Sequence, residues 1–412
     1  MRLVARSSPG SADLPGSADF KARAAAAVDA LAPRLIEISH RIHENPELGF
    51  EEHFAHDLLA GAAEAAGLEV QRQAYGVDTA FAARAGTAGP LVAFLCEYDA
   101  LPGIGHGCGH NIIAASGLGA GLAAAEVVEE LGGRLLILGT PAEEGGGGKL
   151  RLMQGGAFTD VEAALMVHPA GLELSEMETL AVQQLHARYR GRAAHAAAAP
   201  EAGRNALDGA VLGYVAAAAL RQHIAPDERF HGIFSDGGQK PNIVPAVAET
   251  NWYVRSPTLA RLEVLKGRLA DCLRSGASAA GVDVELLWAD YCFAEVRSNR
   301  TLVELWEANA ADLGRSPQPP AEGRTVLGST DMGNVSQAVP SIHPMIAVAS
   351  PETAIHTEDF AACARGPDGD RGVIDGAKTL AAVAVDYWSD PSVREAVRAD
   401  FTAGPATPAA SN

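Results

Sequence analysis

Residues 91–111 read LVAFLCEYDALPGIGHGCGHN. The first five form an apolar run of the length of a strand buried on both faces. The remainder holds two cysteines, two histidines, a glutamate and an aspartate among five Gly and Pro residues. That much Gly and Pro excludes a regular helix and lets the backbone turn tightly while ligands reach inward. In open parallel sheets, ligands bind beyond the carboxyl ends of the strands.

The same pattern recurs three times. RLLILGT (134–140) runs into PAEEGGGGK (141–149), AALMV (163–167) ends on HPA (168–170), and PMIAVAS (344–350) precedes PETAIHTEDF (351–360). Helical segments lie between them, among them DFKARAAAAVDALAPRLIEISHRIHENPEL (19–48) and IIAASGLGAGLAAAEVVEEL (112–131), the latter despite its glycines. The alternation predicts an α/β fold: a mainly parallel-sheet catalytic domain with helices on both faces. The middle differs. LAVQQLHARYRG (180–191) and PAVAETNWYVRS (245–256) alternate like half-exposed strands, and 202–223 and 258–281 read as amphipathic helices. This predicts an inserted α+β layer over 181–292, with the catalytic domain at 19–180 and 293–400. Residues 1–18 and 402–412, rich in Gly, Pro, Ala and Ser, are expected to be disordered tails.

Composition narrows the function. The 412 residues are 48% apolar and 20% charged, with net charge −19. Nucleic acid and anionic membranes both call for clustered Lys and Arg, so neither is expected as a partner. The acidic charge reads as solvated surface or as steering of a cationic substrate. Five cysteines at irregular spacing do not form a disulfide framework and fit a reducing cytoplasm. No signal-peptide core or membrane-length apolar run is present in the sequence.

Taken singly, the polar residues are ambiguous. Cys108 and His110 can face one centre from a Gly-rich loop, or act as a nucleophile and base. Glu143 and Glu144 repel each other unless a cation or proton intervenes, or lie in an exposed turn. His168 alone resembles a core histidine, and His356 precedes a helix start capped by Thr357. Together they offer one thiolate, three imidazoles and two carboxylates. This set suits zinc or a similar metal and exceeds what one tetrahedral ion needs, so two ions sharing a ligand are expected. No H-E-x-x-H, P-loop, Rossmann fingerprint or nucleophile elbow competes with this reading.

The segments HENPELGFEE, EYDALPGIGHGCGHN, PAEEGGGGK, MVHP, GRAAHAAAAPEAGRNALDGA, NIVP, GSTDMGNVS and AIHTEDF resemble, in order, those of the aminoacylase/carboxypeptidase family of dinuclear metallopeptidases. That family includes hippurate, indole-acetyl-amino-acid and p-aminobenzoyl-glutamate hydrolases. The wording is closest to its β-alanyl-lysine-type dipeptidase branch. Asn111 stands where the hippurate and auxin-conjugate branches usually carry Asp.

The resemblance implies that Cys108 bridges two divalent ions, zinc or else manganese or cobalt, with His110, Glu144, His168 and His356 completing the ligands. Of the two glutamates it assigns Glu143 as general base, taking a proton from the attacking water and passing it to the leaving amine. Asp99 is expected beside the site rather than as a ligand. The resemblance further implies a homodimer formed through the inserted lid, with His195 reaching the partner's site and helping to hold the oxyanion. Asn242, Arg255 and Ser329 are then substrate-binding residues, the first two for a carboxylate. The implied activity is hydrolysis of an amide bond in a dipeptide or N-acyl amino acid. An aryl amide such as p-aminobenzoyl-glutamate is the alternative substrate, and a non-catalytic metabolite-binding relative the alternative role.

Overall fold

A computed structural model of the protein describes residues 16–320 and 328–404. Most of both expected tails, 1–15 and 405–412, lies outside the described residues. At each end the ordered chain reaches further than expected. The first helix, Ser17–Glu44, starts within the stretch read as a lead, because Phe20 is buried against Val127 and Val385. The last, Pro391–Ala403, continues past 402, where the Phe401 ring lies under the Arg297 guanidinium at 4.7 Å.

The strands, in chain order, are β1 (Glu69–Arg72), β2 (Phe81–Ala85), β3 (Leu91–Cys96), β4 (Arg134–Gly139), β5 (Val161–Leu165), β6 (His168–Ala170), β7 (Ala181–Arg190), β8 (Arg229–Asp236), β9 (Val247–Ser256), β10 (Asp283–Trp288), β11 (Ser341–Ile342) and β12 (Met345–Ala347). The main sheet runs β1-β2-β4-β3-β5-β11. Its centre is parallel, with β3 between β4 and β5 and β11 beside β5, while β1 and β2 add an antiparallel edge. β6 and β12 form a short parallel pair where β5 and β11 end.

Both faces of the central strands are buried, which explains their continuous apolar runs. Val92, Phe94, Leu135 and Ile137 pack toward the helices Ser17–Glu44, His110–Ala125 and Pro367–Ser389. Ala93, Leu95, Leu136 and Leu138 face the other way, toward Leu152, Phe158, Met332 and Val335. The glycines of helix His110–Ala125 permit its close seat on the sheet. A Cβ at Gly117 would come within 2.5 Å of the Leu95 carbonyl oxygen, and one at Gly121 within 2.3 Å of Ile137.

A second, antiparallel sheet, β10-β7-β9-β8, lies within the span read as an inserted layer. It packs on the helices Ala206–Leu220 and Leu259–Ala280 around buried Trp252, Tyr189 and Leu273. β7 and β9 are legible in the sequence. β8 and β10 are edge strands: β8 is largely exposed with Phe230 its one buried side chain, and β10 alternates but only half-buries Val284, Leu286 and Trp288, so both give a weaker signal than β7 and β9.

Candidate metal centre

The ends of the parallel strands deliver the expected residues to one place. β3 is followed by the loop that ends with Cys108 and His110, and β4 by Glu143 and Glu144. His168 opens β6, and His356 immediately precedes the cap of helix Glu358–Cys363. Ligand atoms of Cys108, His110 and His168 lie within 4.8 Å of one another, as do those of Cys108, Glu144 and His356, so Cys108 is common to both groups. The Cys108 Sγ is 3.5 Å from His168 Nε2, and Glu144 Oε1 is 3.3 Å from His356 Nε2 and 3.9 Å from His110 Nε2.

The backbone is bent to achieve this. Ala142, just before the glutamates, and His356 both have positive φ, 59° and 66°. Such conformations in non-Gly residues are sparsely populated and cluster at functional sites.

The ring orientations are set from behind. His110 Nδ1 lies 3.0 Å from Asp99 Oδ1, and Asp99 Oδ2 accepts the Glu144 backbone N–H at 2.8 Å. His168 Nδ1 lies 2.7 Å from the Pro169 carbonyl. Each histidine therefore turns Nε2 toward the centre, the arrangement that prepares imidazole for a metal. His110 Nε2 is fully buried and has no hydrogen-bond partner.

The electrostatics match. Burial, then Glu97 and Glu144, hold the Glu143 carboxyl well above its ordinary range. Burial, then His110, lowers His168 to about 4. Burial likewise holds the Cys108 thiol up. Without a cation these three groups resist ionisation, whereas His110 is pushed up by Cys108 and Asp99 and Glu144 is pushed down by His356 and His110, each against its burial. With one, thiolate, carboxylates and neutral imidazoles are the stable forms. A buried imidazole nitrogen without a partner, a thiol shared by two groups and soft and hard donors together fit divalent ions.

A cleft of about 440 Å³ opens over the cluster. Arg255 lines it and donates to Ser329 Oγ at 3.1 Å. No carboxylate pairs with Arg255 among the described residues. Tyr253, Tyr291 and Phe293 form its aromatic side. Neither His195 nor Asn242 lines this cleft. They adjoin each other on the exposed edge of the second layer, where the Ala196 N–H bonds the Asn242 carbonyl.

Sequence reasoning missed the aromatic side, which depends on which strand faces the cleft. It also missed a buried network of Glu97, Lys149 and Asp331 behind the cluster, although all three occur in the quoted segments.

Residues 93–384 match the model of peptidase family M20/M25/M40. The chain belongs to that family. It is similar to the Xaa-Arg dipeptidase of Mus musculus, 39% identical over 400 residues that cover 93% of this chain and 92% of the mouse protein. It also resembles one of the subunits of the p-aminobenzoyl-glutamate hydrolase of Escherichia coli (strain K12), with 30% identity over 88% of this chain and 91% of that one. Among solved structures, a dinuclear metal-binding M20 peptidase from Bacillus subtilis shares the fold, with TM-score 0.64, 19% identity, and coverage of 87% of this chain and 99% of the other. As an M20/M25/M40 member, the protein is a metallopeptidase that hydrolyses the amide bond of dipeptides or N-acyl amino acids. No helix among the described residues is long and apolar enough to cross a membrane.

Proposed function

We propose that the protein is a dinuclear dipeptidase for dipeptides ending in a basic residue. The observation that carries this reading is the near full-length likeness to the mouse dipeptidase. The net charge of −19 agrees with it, because an acidic protein steers a cationic substrate inward.

Cys108, His110, Glu144, His168 and His356 would hold two divalent ions, zinc first, with manganese or cobalt as alternatives. When bound, the ions supply Lewis acidity that polarises the scissile carbonyl and brings water toward ionisation near neutral pH. Glu143 takes the proton of the attacking water and passes it to the leaving amine. Arg255, oriented by Ser329, takes the substrate carboxylate in its planar fork. Tyr253, Tyr291 and Phe293 offer faces on which a basic side chain can rest.

His195 completes the site from a second subunit, with Asn242 beside it. Its Nδ1 accepts the N–H groups of Ala197 and Ala198 at 3.3 and 3.2 Å, so Nε2 carries the proton outward to an oxyanion. Exposed Val211, Leu212 and Val215 on helix Ala206–Leu220, and Ile233 and Phe234 on the free edge strand β8, support a homodimer formed through this layer. In this reading 181–292 is the lid and dimerisation domain and 19–180 with 293–400 the catalytic domain. Five free cysteines support a cytoplasmic location.

The test is reconstitution. Protein stripped by chelator should release no arginine from alanyl-arginine, and activity should return in proportion to added zinc, manganese or cobalt up to two ions per chain. Activity that survives stripping would refute the proposal.

A further inference from the structure

The Glu97, Lys149 and Asp331 network takes no part in the chemistry described above. Lys149 lies at the start of the short helix Gly148–Gln154 and has no exposed surface. Its ammonium bonds Glu97 and lies 2.6 Å from Asp331 Oδ1, and its backbone N–H donates to Asp331 Oδ2 at 2.9 Å. Oxygens of Glu97, Asp331 and Glu143 lie within 4.8 Å of one another, and all three side chains are buried. The second oxygen of Glu97 is buried without a hydrogen-bond partner, 3.6 Å from His110 Nε2.

Three buried carboxylates so close together need a cation or a proton among them. An all-oxygen group of this span is the kind that manganese or magnesium occupies. Lys149 supplies the charge instead. Its ammonium bonds Glu97 and Asp331 and makes no hydrogen bond to Glu143.

We propose that Lys149 is a positioning residue: a tethered cation that fills the place a third metal ion would take and so leaves Glu143 free to serve as the base. A metal bound to Glu97, Asp331 and Glu143 would consume a Glu143 oxygen as a ligand. An ammonium that bonds only the outer two does not. The proposal rests on the dinuclear reading above.

The test compares wild type, Lys149→Met and Lys149→Met/Asp331→Asn. Each is loaded with manganese, desalted and assayed for bound metal by mass spectrometry and for kcat and KM on alanyl-arginine. Lys149→Met should bind one manganese ion more than wild type. Its kcat should fall about tenfold or more while KM moves less than about threefold, the split that separates loss of the base from loss of binding. In the double variant one positive and one negative charge are removed together, and the amide oxygen introduced in place of Asp331 can still accept the backbone N–H of residue 149. It should return to the wild-type metal count and recover most of kcat. Lys149→Met with unchanged metal content, or a folded double variant no better than the single one, would overturn the proposal. If Lys149→Met does not fold, the double variant decides: wild-type metal content and near-wild-type kcat support the proposal, and low kcat overturns it. Wild type with fewer than two ions would instead overturn the dinuclear reading, and the difference between variant and wild type would still decide the role of Lys149.

Discussion

Asp99 stands behind His110: its Oδ1 lies 3.0 Å from His110 Nδ1, and both side chains are fully buried. Burial alone would raise the Asp99 carboxyl, but His110 and the Glu144 and Glu143 backbone N–H groups outweigh it and hold Asp99 ionised. The same carboxylate thus sets the ring of one candidate ligand and the backbone of another. Asp99→Asn presents an amide N–H to one of these donors. Metal affinity should fall about 10- to 100-fold, read by competition with a chelator of known affinity. Unchanged affinity would remove Asp99 from the support of the centre.

Arg255 is half-buried in the cleft, where burial lowers its proton affinity. Arg255→Met should reduce kcat/KM for alanyl-arginine by about 100-fold, on the order of 3 kcal/mol for a charge-assisted pair. Alanyl-argininamide, which lacks the carboxylate, should be hydrolysed almost equally by both forms. Equal losses on both substrates would show that Arg255 does not read the carboxylate.

Glu143→Ala should retain its metal and lose about 100-fold or more of kcat. His195→Ala should also be inactive, although His195 lies outside the cleft of its own chain. Equal amounts of the two variants, unfolded and refolded together, should regain about a quarter of wild-type activity, because half the chains enter mixed dimers and each mixed dimer rebuilds one site. No rescue in dimers verified as mixed would contradict a shared site.

Glu52 gives a pH prediction. It is fully buried and accepts the Ala142 N–H at 2.7 Å and the Thr79 hydroxyl at 2.8 Å. Burial, then Asp99, raises its carboxyl from the ordinary 4.5 to about 7. The folded protein therefore binds this proton more tightly than the unfolded chain. The resulting stability is fully present below pH 4.5 and is lost as pH rises through 7, at most about 3 kcal/mol. Glu52→Gln mimics the protonated form. Its melting temperature should equal that of wild type at pH 5 and exceed it at pH 8. Parallel curves for the two proteins would contradict the assignment.

Much of this candidate site can be read in the sequence, because apolar strands announce themselves by composition and the polar candidates lie in the segments that follow them. Cys108, His110, Glu143, Glu144 and His168 all follow strands in this way. The parts that could not be read depend on distance through space. Nothing in the spacing of Glu97, Lys149 and Asp331 shows that they meet, since they come from three segments and one is over 180 residues from another. The orientation of Tyr253 and Arg255 into the cleft follows from the register of β9 against β7 and β8, which the sequence does not specify. β8 and β10 went unread because edge strands carry few buried side chains. The glycines of helix His110–Ala125, which weaken the helical signal, are there for close packing on Leu95 and Ile137.

The most direct test of the central claim is a comparison of kcat/KM for alanyl-arginine and p-aminobenzoyl-glutamate on the metal-loaded protein, each with and without chelator. Arginine release at least about tenfold more efficient, and abolished by chelator, is the predicted result. Preferred cleavage of p-aminobenzoyl-glutamate, or arginine release that the chelator leaves untouched, would contradict it.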